Sequence, residues 1–182
     1  MKSTKLLTTD HELILEALHV LDEMNTELQK GKNVNRDDIR SLLTFLREFA
    51  DGCHHVKEEA IFFPALIQAG MALEDGPLQV MTYEHERARS LAAAMQDAIG
   101  CKRMDHFVMY SGRYVKLMSD HIEKENWVLF DRADQILSDD EDQKIADAFE
   151  HYDTVIAGAP TYERLRHTIE GLASKYLAAT AH

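Results

Sequence analysis

The chain carries ten histidines in 182 residues, and four of them fall where they can meet. His54-His55-Val56-Lys57-Glu58 and His121-Ile122-Glu123-Lys124-Glu125 both read His-x-x-Lys-Glu. Each runs on into large apolar residues at the same offset, Ile61-Phe62-Phe63 and Val128-Leu129-Phe130. Residues four apart on a helix share a face, one turn apart. Each segment therefore presents an imidazole and a carboxylate side by side. Asp10-His11-Glu12 and Glu84-His85-Glu86 form a second, weaker pair of echoes, so the chain reads as a duplicated helical hairpin. A His followed by Glu four residues on is a weak signal alone, and His19 with Glu23 has it too.

Register strengthens the signal. His11 and His54 are centred on Lys32–Asn33, His54 and His85 on Ala69–Gly70, and His85 and His121 on Arg103. Each midpoint lies in a break between helices. Both arms of an antiparallel hairpin rise about 1.5 Å per residue, so residues equidistant from the turn sit at one height. Three successive hairpins place His11, His54, His85 and His121 at one level, with Glu58 and Glu125 displaced the same way by about one turn. Ionisable groups gathered inside a core are costly unless a metal or a hydrogen-bond network satisfies them. Six ligands without Cys exceed a four-coordinate zinc site. Calcium and magnesium would want oxygen ligands only. Mixed imidazole and carboxylate suits iron or manganese. The set fits two ions better than one: two His on each, both Glu bridging, and a solvent-derived oxo or hydroxo bridge between them.

The remaining candidates take plainer readings. His19 is two turns from His11. His55 is rotated about 100° from His54 and reads as rim, or as support behind the ligands. His106 lies far from the ligand level, and His151, His167 and His182 read as surface. Cys53 reads as a buried, inert thiol. Met81, Met95, Met109, Met118, Phe107, Tyr110 and Tyr114 read as core.

The elements that must position this cluster follow from punctuation. Thr9-Asp10-His11-Glu12 reads as a capping box opening a helix that stops at Gly31. Asn35 starts a second, to about Gln68, which Pro64 should kink or end early. Gly76-Pro77 opens a third, to Gly100. A fourth covers about Met104 to Leu137. Ser138-Asp139-Asp140-Glu141, another capping box, opens a fifth to about Ile156, and Thr161 to Leu177 forms a sixth. No alternating strand is evident. The expected fold is all-α, an up-down-up-down four-helix bundle over residues 1–137. Residues 138–182 form a C-terminal helical extension packed on it, or a dimer contact.

Composition bounds the function. Lys and Arg number 20 against 32 Asp and Glu, a formal net charge of −12, which argues against nucleic acid as a partner. No apolar run is long enough to span a membrane, and the N-terminus lacks the apolar stretch of a signal peptide. Two cysteines are no disulfide framework. A cytoplasmic location is expected.

The motifs resemble the hemerythrin-like, or HHE cation-binding, family over about residues 8–137. The matching residues are Asp10-His11, Cys53-His54-His55-Val56-Lys57-Glu58-Glu59 with Phe63-Pro64, Glu84-His85-Glu86 with Arg89, and His121-Ile122-Glu123-Lys124-Glu125 with Phe130. The resemblance implies a four-helix bundle holding a non-haem, usually di-iron, centre, with His11, His54, Glu58, His85, His121 and Glu125 as ligands. Oxygen-carrying members have a second His on the third helix, four residues from the first. Here those positions are Met81 and Arg89. The pattern is similar to the six-ligand branch, which includes iron–sulfur-cluster repair proteins. That implies a centre that reacts with O2, peroxide or NO, in redox or nitrosative stress or in sensing, rather than a reversible O2 carrier. The alternative is an iron-binding or iron-sensing module without turnover. Arg89 either steers an anionic species or pairs with a carboxylate. The expected partners are a small diatomic or peroxide ligand and a second copy of the chain.

Overall fold

The computed structural model describes residues 1–177; the expected surface role of His182 lies outside them. Among the described residues every regular element is helical. There are α1 (Lys2–Gln29), α2 (36–68), α3 (Pro77–Gly100), α4 (104–136), α5 (139–156) and α6 (Ala159–Tyr176).

Most boundaries follow the local chemistry. The Asn35 side chain accepts from the Asp37 amide at the start of α2, and Pro77 opens α3, where its missing N–H costs nothing. Ser138 and Glu141 form the expected capping box of α5. Gly31 and Gly70 adopt positive φ where α1 and α2 end, a conformation that favours glycine.

Two expectations fail outright and a third in part. Thr9 does not cap α1, which begins seven residues earlier; its hydroxyl instead donates to the Lys5 carbonyl inside the helix. The cap is supplied by α5: Asp142 accepts from the amides of Lys2 (2.8 Å) and Ser3 (3.0 Å) and from the Ser3 hydroxyl. Pro64 does not end α2. A π-helical turn, Glu58–Phe62, stands just before it, and a wider turn gives room to a ring that donates no hydrogen bond. Met109, read as core, is exposed.

Two apolar clusters fill the interior. On α1, Leu7 belongs to one cluster and Ile14 to the other, with His11 between. On α2, Phe49 and Phe62 flank His54 and Glu58 in the opposite order. Met81 and Ala88 flank His85 on α3, and Met118 and Leu129 flank His121 and Glu125 on α4. The polar residues thus form one layer sealed above and below by hydrocarbon. The extension joins both clusters, through Ile145 and Phe149 of α5 and through Leu165 and Ile169 of α6.

Candidate metal centre

All six residues singled out by spacing converge in that layer, and each is at most 1% exposed. The His11 and His54 rings lie 4.6 Å apart between centroids, the His85 and His121 rings 4.7 Å. A carboxylate joins the two pairs on each side. Glu58 Oε2 lies 3.5 Å from His54 Nε2 and 3.4 Å from His85 Nε2. Glu125 Oε2 lies 3.1 Å from His11 Nε2 and 3.2 Å from His121 Nε2. Two groups of residues are close enough to hold an ion among the described residues: His11, His54, Glu58 and Glu125; and His55, Glu58, His85 and His121.

His55 is thus misplaced by its sequence reading. It is 1% exposed, inside the cluster, with its ring stacked on His85 at 3.9 Å. A strictly α-helical α2 would turn it about 100° away from His54. But Leu46–His55 is π-helical, a departure from α-helical register of the kind found at functional sites. Two consecutive side chains, His54 and His55, are buried in the layer.

The other histidines are where expected. His19, His151 and His167 are exposed, and His106 pairs with Arg103 at the surface. Cys53 is buried, with its thiol pushed up to about 11 by burial, which leaves it protonated and inert. Arg89 pairs with Asp51 (2.6 Å) and Glu59 (2.8 Å), so the carboxylate-pairing alternative holds.

Each imidazole is aimed by a partner behind it, a role the sequence reading gave to none of these residues. Asp10 of α1 faces His54 Nδ1 of α2 (3.4 Å). Glu59 of α2 faces His85 Nδ1 of α3 (2.7 Å). Glu84 of α3 faces His121 Nδ1 of α4 (3.0 Å), and Asn126 of α4 faces His11 Nδ1 of α1 (2.8 Å). The four helices close a ring in which each holds the next one's histidine. A carboxylate or amide oxygen can only accept, so each Nδ1 carries a proton and each Nε2 faces inward. The signal was in the sequence: each partner is the immediate neighbour of a candidate ligand, before His11 and His85, after Glu58 and Glu125.

The Nε2 atoms of His85 and His121 meet at 3.0 Å, but the other interior atoms are left without hydrogen bonds. Nε2 of His11, His54 and His55 and both oxygens of Glu58 and Glu125 are buried and unsatisfied. Their mutual approaches are close without being aligned as hydrogen bonds. Native interiors rarely tolerate this. In the metal-free protein, protons are shared unevenly across the layer. Burial and then the neighbouring Glu125 charge push Glu58 well above the usual carboxylate range. Burial opposes charge on His121, but Glu125 and Glu84 outweigh it and raise it to about 9. Burial drives His54 down to about 4. Orphaned nitrogen and oxygen donors of this kind fit divalent or trivalent iron. Lys57 lies just outside, 2% exposed, held by Asp10 (2.7 Å) and by Asp153 of α5 (2.9 Å).

The sequence is also similar to known proteins. The model of the hemerythrin HHE cation binding domain matches residues 2–133. The iron-sulfur cluster repair protein YtfE of Musicola paradisiaca (strain Ech703) is 28% identical over 132 residues, 68% of this chain and 59% of that protein. The chain thus spans less than two thirds of that relative's length. No solved structure matches. With the family model covering most of its length, this chain belongs to the hemerythrin HHE cation-binding family.

Proposed function

We propose that this protein is a non-haem di-iron protein that binds or reacts with O2, peroxide or NO, in redox or nitrosative stress response or sensing. His11, His54, Glu58, His85, His121 and Glu125 would hold two iron ions, with both carboxylates shared. The observation that carries this reading is the placement of Glu58 and Glu125, each within 3.5 Å of one histidine from either pair. The order in which α1 to α4 cross the two apolar clusters supports the up-down-up-down arrangement, with 138–182 as an extension of the same body.

When bound, iron supplies one-electron redox chemistry and affinity for small oxygen and nitrogen ligands. The chain's own contribution is to orient and to seal. The Nδ1 partners fix each ring. Phe130 stacks on His11 at 5.5 Å and Phe63 on His85 at 5.9 Å, excluding water from the ligand layer. Repair of iron–sulfur clusters, named for the relative, is one role this chemistry would serve. No described helix is long and apolar enough to cross a membrane.

The burial of the whole layer favours a second reading, iron binding or sensing without turnover. Reductant-driven consumption of NO or peroxide separates the two. Many equivalents consumed per chain, lost in Glu58→Ala, support the reactive reading. Iron retained with no consumption supports the binding module.

A further inference from the structure

His55 shares every feature of the proposed ligands. Its Nδ1 faces a carboxylate, Asp51, at 3.4 Å. Its Nε2 is buried and without a hydrogen-bond partner. It lies in the group formed with Glu58, His85 and His121. The neighbouring His54 serves the other group. One π-helical segment therefore sends consecutive residues to opposite ends of the layer. The duplication makes this an addition rather than part of the repeat: the equivalent of His55 on α4 is Ile122, buried among apolar side chains.

We propose that His55 is a fifth imidazole ligand, bound to the ion held by His85 and His121. This rests on the di-iron reading. The imidazole missing beside His85 on α3, where Met81 and Arg89 stand, is then supplied from α2. The two ions become unequal. The one at His55, His85 and His121 is the more nearly saturated by protein, and small ligands bind the one at His11 and His54. His55 also lines a cavity of about 220 Å³ among α2, α3 and α4, with Ala88, Ala92 and Tyr114. That cavity provides a direct test, because a free imidazole can enter where the side chain is removed.

The experiment loads the full chain with Co(II) and counts the exchangeable, paramagnetically shifted imidazole N–H signals by proton NMR. Wild type should bind two ions and give five signals. His55→Ala should give four, with the weaker ion loosened on the order of tenfold or more against a chelator. Added imidazole should restore the affinity and a fifth, ligand-derived signal. Asp51→Asn keeps the ring and should shift one signal of the five, which covers the case in which His55→Ala does not fold. Two ions with four signals in wild type, or an unchanged count in His55→Ala, overturns the assignment while leaving the di-metal reading intact. Failure of wild type to bind two ions overturns both.

Discussion

Single residues set the sharpest expectations. Glu58→Ala and His121→Ala should each lose at least one ion together with the stabilisation that bound metal lends to the fold. Exposed His19, which carries the same spacing to Glu23, should tolerate Ala with no change in metal content. Elemental analysis beside a thermal melt reads both; a His19→Ala variant stripped of iron would contradict the layer. Lys57 makes a second case. Removing it leaves Asp10 as a buried carboxylate without its cation, so Lys57→Met should cost about 3 kcal/mol or more in a urea titration. A cost below about 1 kcal/mol would mean that Asp153 and Asp10 relax into solvent. At this scale the sequence was informative wherever spacing alone decides the face, as for His54/Glu58 and His121/Glu125. It failed at His55 because the π-helical Leu46–His55 segment has no signature in the periodicity. Burial of Lys57 was equally hidden, since its two carboxylates come from helices far apart in sequence.

At the scale of elements, the breaks at Gly31, Gly70, Gly76-Pro77 and Ser138 were legible because each is a local event. The start of α1 was not, because its cap is tertiary. Asp142 sits 140 residues from Lys2 in sequence, and no reading of the first dozen residues could find it. Asp142→Ala should therefore destabilise the protein by about 1–2 kcal/mol and fray the first turn of α1, as amide exchange would register, while metal content stays at the wild-type level. Equal exchange rates in both proteins would remove Asp142 from that role. A pH dependence goes with it. Burial opposes ionisation of Asp142, but Ser3 and the α1 amides outweigh it and hold the carboxyl below its ordinary value; Asp38, bound by Lys175 and Tyr176 of α6, is held down likewise. A depressed carboxylate contributes its stabilisation fully above the unfolded pKa near 3.9 and loses it as pH falls through the folded value. Docking of α5 and α6 should thus hold from neutral pH down to about 4 and weaken below, followed by circular dichroism in metal-free protein. Undocking already complete at pH 5 would point to other groups.

The whole molecule is a polar layer closed between two apolar clusters, with the extension contributing to both. Phe149 and Ile169 are fully buried, so a chain ending at residue 137 should lose cooperative unfolding, and Phe149→Ala alone should cost about 3–5 kcal/mol. The four-way register was readable from midpoints because helical rise is constant, whereas the ring of Nδ1 partners needed the helices side by side. The central claim is that two iron ions share Glu58 and Glu125. Its most direct test is iron stoichiometry on anaerobically loaded protein, combined with electron paramagnetic resonance of the one-electron-oxidised form. Two irons per chain should titrate as a spin-coupled pair, with the coupling lost in Glu58→Ala and Glu125→Ala. A single iron per chain, or two that behave as isolated high-spin ions, would contradict it.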